Sequence, residues 1–395
     1  MSKNPIYLIV IHYSEIALKG NNRKFFENLL INNIRKHISH LKHSSITHHE
    51  SRILVNDIAI NDWESFKNCL SNVMGLKNFT LMIKCKSEID ELKSTVVQLI
   101  GRKKFKNFRI TARRNYKKLI FTSQDANMII GEFVQKKFKK PVNLNFPDLN
   151  IHIELLKDFS LIGNEKINGF SGLPANCQEK ALSLISSGID SPVASFEMIK
   201  RGVIVDYIHF HSYPAINKQS ISNVKKILDV LSKYQLKSTL YLVPLLSIQE
   251  KIMEIIPDKY WVIFFRRYMI KIANDIAFQN RYIALITGDS IGQVASQTLS
   301  NIRAISDVSN LPIIRPLSGL NKEDIVNKAE IISTYNISIE PYEDCCSFFV
   351  PPHPETKAKM DIINRLDKTL KIDEIYNETL KNIEIQKFKY MGESK

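Results

Sequence analysis

The chain has 395 residues, 44% of them apolar, and 55 Lys and Arg against 40 Asp and Glu, a net charge of +15. That length predicts two or three domains rather than one small core, with an apolar share ordinary for a globular protein. No apolar run reaches the roughly 18 residues of a membrane span, because Arg266 and Arg267 interrupt even residues 259–278, so no membrane association is expected.

Residues 1–5 lead straight into a strand-like run at 6–11 with no cleavage-site pattern, so no signal peptide is expected. Five cysteines without a Cys-x-x-Cys spacing argue against a disulfide framework or a zinc site and fit a reducing cytoplasm. The charge is uneven. Residues 1–176 hold 28 Lys and Arg against 15 Asp and Glu, whereas residues 177–395 hold 27 against 25. This is the pattern of a polyanion-binding module joined to a near-neutral catalytic domain.

In chain order, residues 6–13 alternate as a strand, 15–23 form a polar turn, and 25–37 carry apolars at helical spacing. A strand at 52–58, a helix at 63–73 and a strand at 79–85 complete a pattern that suggests a ferredoxin-like module. A helix is expected at 89–100. The most basic stretch follows: Arg102, Lys103, Lys104, Lys106, Arg109, Arg113, Arg114, Lys117 and Lys118, with no acid between them and Phe105, Phe108 and Tyr116 interleaved. Cations with aromatics suit unpaired or distorted RNA, through phosphate pairing and base stacking. The same stretch also reads as a solvated charge run whose aromatics serve a core. Alternation at 108–112 makes it a strand, which puts some of the cations on one face. A helix at 125–138 and a hairpin of 150–156 with 160–167 follow, and Gly169, Gly172 and Pro174 mark a domain boundary.

Residues 182–185 then read as a buried strand, Ser186, Ser187 and Gly188 as a small-residue loop, and Pro192 as first-turn residue of a helix. Strand, small loop and helix start bring unpaired N–H groups and the positive helix end to one spot, a geometry for phosphate. No Lys follows, which excludes the G-x-x-x-x-G-K-[ST] pattern. The loop resembles the S-G-G-x-D-S loop of the ATP-pyrophosphatase (PP-loop) enzymes, with Ser187 in place of the first Gly. A Cβ there is tolerated at negative φ. Strands at 203–209, 238–243 and 282–287 alternate with helices at 221–234 and 260–278, which predicts a parallel sheet covered on both faces. Ligands in such sheets sit at the carboxyl ends of strands, here Ile185-Ser186, His209-Phe210 and Thr287-Gly288. The segment after Pro354 reads as polar and helical.

Four stretches together resemble the tRNA 4-thiouridine synthetases (tRNA sulfurtransferases): residues 15–23, 186–193, the thirteen residues Thr-Gly-Asp-Ser-Ile-Gly-Gln-Val-Ala-Ser-Gln-Thr-Leu at 287–299, and Glu343-Asp344-Cys345-Cys346. The resemblance covers nearly the whole chain. It implies an α/β multidomain protein: a ferredoxin-like domain at 1–60, a THUMP RNA-binding domain at 61–168, and at 169–395 a PP-loop domain of adenine nucleotide α-hydrolase type with a doubly wound parallel sheet. It implies ATP and magnesium as cofactors. Leu184, Ile185, Ser186, Ser187, Gly188, Ser191, His209 and Phe210 would surround the nucleotide. Arg266 would approach its phosphates, Gly288 would let the backbone come close, Gln297 would hydrogen-bond it, and Asp190 would act through magnesium; no protein metal-ligand set is assigned.

tRNA would be held by Lys19 and Arg23 with Arg102, Lys103, Lys104, Arg109, Arg113, Arg114, Lys117 and Lys118. Cys345 corresponds to the family's sulfur-handling cysteine, with Cys346 beside it, whereas Cys69 and Cys85 read as core and Cys177 as linker. The chain resembles the shorter members, without a rhodanese domain, so a cysteine desulfurase would pass sulfur directly to it and the family's link to thiazole synthesis is not carried over. The oligomeric state stays open, a homodimer included. In the implied reaction the basic modules place uridine 8 of tRNA over the loop. Its O4 attacks the α-phosphate of Mg-ATP and pyrophosphate leaves, with helix-start N–H groups stabilising the charge on phosphate. A persulfide on Cys345 then delivers sulfur to C4, directly or as hydrosulfide, and AMP departs; Cys346 or another thiol resolves the persulfide as a disulfide. A small-molecule PP-loop enzyme would not account for the basic half. A non-catalytic tRNA binder with a decayed loop would not account for Asp190, Arg266, Gly288, Gln297 and Cys345 together.

Overall fold

The alternating run Tyr7–His12 forms β1, whose interior residues are all buried. The structure, a computed structural model, describes residues 5–101, 103–215, 217–341, 349 and 351–390. It divides into two compact units, Met1–Gly172 and Leu173–Lys395. In the first, β1 is followed by α1 (Arg23–His37), β2 (Ser45–His49), β3 (Arg52–Asn56), α2 (Trp63–Ser71) and β4 (Asn78–Cys85). Then come α3 (Ile89–Ile100), β5 (Phe108–Arg114), α4 (Ser123–Phe138), β6 (Leu149–Leu155) and β7 (Ser160–Asn168). Seven strands make one sheet in the order β2-β3-β1-β4-β7-β6-β5, and β4 joins its halves by pairing antiparallel with both β1 and β7.

β2 escapes sequence reading because Ser45-Ile46-Thr47-His48-His49 is a polar edge strand with little to bury. β5 and β6 show why alternation matters. Phe108, Ile110, Ile151, Ile153 and Leu155 join a core with residues of α3 and α4, while Arg109, Thr111 and Arg113 take the other face beside Asn150, His152 and Glu154.

The second unit runs β8 (Lys180–Leu184), α5 (Asp190–Lys200), β9 (Ile204–His211), α6 (Gln219–Gln235), β10 (Lys237–Pro244), α7 (Leu246–Ile255), α8 (Trp261–Asn280) and β11 (Ala284–Ile286). It continues with α9 (Leu299–Ser306), β12 (Ile313–Ile314), α10 (Lys322–Ile331), α11 (Tyr335–Ser338), α12 (Met360–Asp367), α13 (Asp373–Lys381) and β13 (Glu384–Lys389). The sheet order is β12-β11-β8-β9-β10-β13. Its first five strands are parallel, and the topology turns from one direction to the other between β8 and β11, which opens a crevice at their carboxyl ends.

The C-terminal segment differs from its helical expectation. After α12 and α13 the alternating Glu-Ile-Gln-Lys-Phe-Lys of β13 pairs antiparallel with β10 and covers that sheet edge. Arg267, fully buried in α8, donates to Asp367 Oδ2 at 3.1 Å and to the Ala304 carbonyl, tying α12 and α9 to the core. Among the described residues no helix is long and apolar enough to cross a membrane.

Candidate active site and nucleic-acid face

The loop after β8 closes on its own serines. Ser191 Oγ accepts from Ser186 N at 2.8 Å and donates to the Ser186 carbonyl at 3.2 Å, while Gly188 N donates to Ser186 Oγ at 3.3 Å. Ser187 lies buried with no positive φ, so the Cβ that replaces the usual glycine is accommodated, and its Oγ has no hydrogen-bond partner. Gly288, just past β11, also meets the backbone of another element. A Cβ there would stand 2.7 Å from Ser191 N and 2.9 Å from the Asp190 carbonyl carbon. The first turn of α5 is what needs its bareness.

A cavity of about 490 Å³ opens at the carboxyl ends of β8, β9 and β11. Its walls include Leu184, Ile185, Ser186, Asp190, Ser191, His209, Phe210, Arg266, Gly288 and Gln297. Ser187 and Gly188 are not among its lining residues. His209 is buried, with Nδ1 2.9 Å from the Ile185 carbonyl, and burial pushes the imidazole down to about 4, so the ring is a neutral wall residue at neutral pH.

Sequence reading passed over the charge centre. Burial by itself would raise the Asp289 carboxyl, but Arg266, Thr287 and Arg315 hold it down to about 2. Arg266 Nη2 donates to Oδ1 at 2.5 Å, and Arg315 Nε and Thr287 Oγ1 donate to Oδ2 at 3.1 and 2.8 Å. Asp190 accepts from Lys322 Nζ at 2.7 Å and Gln293 Nε2 at 3.0 Å. Asp289 and Gln293 sit inside the 287–299 motif, which was the available signal. Lys322 opens α10 and carries none.

Cys345 and Cys346 lie outside the described residues, as do Glu343 and Asp344. On either side, Ser338 Oγ donates to the Gly188 carbonyl at 3.3 Å and Phe349 packs edge-on to Phe265 with centroids 6.3 Å apart. Pro354 and Glu355 line the cavity. Cys69 is buried, and burial pushes the half-buried Cys85 thiol up to about 11. Cys177 packs against Gly202, where a Cβ would meet its Sγ at 2.2 Å.

Residues 176–372 match the family model described as Thiamine biosynthesis protein (ThiI), 8–80 the ThiI ferredoxin-like domain, and 86–164 the THUMP domain. A protein of Alkaliphilus oremlandii named "Probable tRNA sulfurtransferase" is 36% identical over 96% of this chain and 98% of its own. One of Coxiella burnetii with the same name is 36% identical over 97% and 99%. The chain belongs to the tRNA sulfurtransferase family. The crystal structure of a 4-thiouridine synthetase–RNA complex with bound ATP superposes with a TM-score of 0.85 at 32% identity, covering 97% of this chain and 100% of that one. The ferredoxin-like, THUMP and PP-loop parts expected from the sequence are therefore present, and the chain is an enzyme of ATP-dependent tRNA thiolation.

A tRNA sulfurtransferase must also hold RNA, and the expected cations divide by partner. Lys19 Nζ lies 5.1 Å above the Phe26 ring, and Arg23 donates to Glu27 at 2.6 Å, Tyr13 at 3.0 Å and Ser51 at 3.2 Å. Arg102 lies outside the described residues. Lys103 Nζ donates to Asn164 Oδ1 at 2.8 Å and Arg109 Nη1 to the Leu144 carbonyl at 2.8 Å. Lys104, Lys117 and Lys118 are exposed. Arg109 and Arg113 share the polar face of β5, whereas Arg114 stands in register with Leu155 on the helix side. Burial, with Lys166, Arg113 and Arg109 beside it, pushes His152 on that polar face down to about 4. Of the three interleaved aromatics, Tyr116 stays half-buried and the other two are corrected. Phe105 and Phe108 are core residues, because strand and helix packing needed them more than solvent did.

Proposed function

We propose that this tRNA sulfurtransferase binds ATP in the cavity at the β8–β11 switch and converts uridine 8 to 4-thiouridine through an adenylated uridine and a persulfide on Cys345. The observation that carries the reading is the cavity itself, framed by the serine loop and the Arg266–Asp289–Arg315 centre at strand ends. Its polar atoms fit a nucleotide. Gln297, in the cavity wall, keeps a buried Oε1 without a hydrogen-bond partner, offering an acceptor to a base or ribose. Arg266, fixed by Asp289, is poised for phosphate.

Magnesium would arrive with the triphosphate, since this hard cation takes phosphates, waters and few carboxylates. Asp190 is the carboxylate beside the serine loop open to it, Asp289 being enclosed by two arginines and Glu355 accepting from Thr356 N and Lys357 N. Lys322, now on Asp190, supplies a second cation beside the phosphates. The match of Glu343-Asp344-Cys345-Cys346 to the family's motif supports a sulfur-handling role for Cys345, with a cysteine desulfurase as donor, in the cytoplasm. Three domains are proposed, 1–60, 61–168 and 169–395, with β4 pairing to strands of both of the first two.

The test is a pair of variants, Cys345→Ser and Cys346→Ser, assayed with ATP, tRNA and a desulfurase. Cys345→Ser is expected to release pyrophosphate yet form no 4-thiouridine, while Cys346→Ser keeps at least partial activity. Full thiolation by Cys345→Ser would point to free sulfide as donor.

A further inference from the structure

The core positions of Phe105 and Phe108 leave half-buried Tyr116 as the basic stretch's remaining interleaved ring, and the structure presents a more exposed one. Phe146 is 85% exposed and Leu144 64%, in the short connection between α4 and β6. A bare phenyl ring of this kind is ordinary on a mobile loop, but this loop is fixed. Asn143 Oδ1 accepts from Asn145 N at 3.1 Å and Phe146 N at 3.0 Å, and Asn143 N donates to the Phe108 carbonyl at 2.9 Å. Asp148 N donates to Asn107 Oδ1 at 2.9 Å, and Asp148 Oδ2 accepts from Lys106 N at 2.8 Å. Arg109 clamps the Leu144 carbonyl. Preorganised apolar surface that stays out of the core marks a binding residue.

The neighbours decide what is bound. The loop is bonded to Lys106 and Arg109, with exposed Lys103 and Lys104 leading into the same strand, and its one carboxylate, exposed Asp148, already accepts from Lys106 N. A protein partner would bring apolar area without needing these cations, whereas RNA brings a flat ring attached to phosphate. We propose that Phe146 stacks on an unpaired base of the tRNA while Arg109 and Lys106 hold the adjoining phosphates. The inference rests on the tRNA-thiolation reading and names a contact of that substrate.

The experiment measures tRNA binding by the full chain across a salt series. Phe146→Ala is expected to weaken binding by about tenfold at every salt concentration with an unchanged slope of log K against log salt, because stacking displaces no counterion. Phe146→Trp should keep wild-type affinity, and its indole emission should be quenched by a single-stranded oligonucleotide but not by a blunt duplex. Unaltered affinity in Phe146→Ala, a changed salt slope, or equal quenching by duplex would overturn the inference. So would a shift in oligomeric state with RNA binding intact, which would make the loop a contact between copies. If the wild-type chain itself fails to bind tRNA, the functional reading falls, and that result is distinct from any of these.

Discussion

Asp190 and Asp289 are both carboxylates lining one cavity, and their partners separate their roles. Asp289 is 3% exposed and locked between Arg266 and Arg315, so it fixes cations and stays ionised in the folded state. Asp190, more open, is balanced by the amine of Lys322 and the amide of Gln293. A carboxylate beside a triphosphate is repulsive unless a cation accompanies it, and Lys322 is such a cation. Asp190→Ala should abolish tRNA-dependent pyrophosphate release while the far-ultraviolet circular dichroism is unchanged. Lys322→Ala should lower the same rate, losing a half-exposed cation whose contact is worth about 1 kcal/mol or less. Near wild-type thiolation by Asp190→Ala would remove Asp190 from the chemistry.

At the scale of elements, β5 sorts its arginines by the two-residue period of a strand. Arg113 stands on the polar face with Arg109, and Arg114 on the helix side with Leu155. Single charge reversals therefore separate what a double change would blur. Arg113→Glu should cut tRNA affinity about tenfold or more and reduce the salt slope, while ATP binding is intact. Arg114→Glu should do clearly less in the same titration. Equal losses would place RNA on both faces of the strand. Gly288 makes the corresponding point in the other unit: an element end can require glycine because another element's backbone fills the space.

The whole molecule is acid-labile by construction. Burial lowers His209 and His211 to about 4 in one unit, and burial with nearby cations lowers His152 to about 4 in the other. An unfolded histidine titrates near 6.5, so between these values the unfolded chain binds more protons. Stability is then full above about pH 6.5 and is lost as pH falls toward 4. Fully buried His209 alone would contribute roughly 2 kcal/mol of that loss at pH 5. The urea midpoint should drop between pH 7 and 5, and His209→Asn should flatten the drop; a parallel curve would mean other groups carry it.

Local information reached far in this chain. The period-2 runs, the helical spacing and the glycine and proline punctuation located β1, α3, β5 and the α/β alternation of the second unit to within a few residues, because each buries a face whose period is written in the sequence. Motifs did the same for the cavity, since residues 186–191 and 287–297 are each contiguous and each ends a strand. What the sequence could not supply is choice among equivalents. Whether an aromatic between lysines goes to the core or to solvent depends on which helix lies above it, and packing took Phe105 and Phe108 inward while leaving Phe146 out. Polar β2 became a strand only because β3 offered an edge, and β13 only because β10 did. Lys322 meets Asp190 across 132 residues, a contact that follows from where α10 packs and from nothing local to either residue.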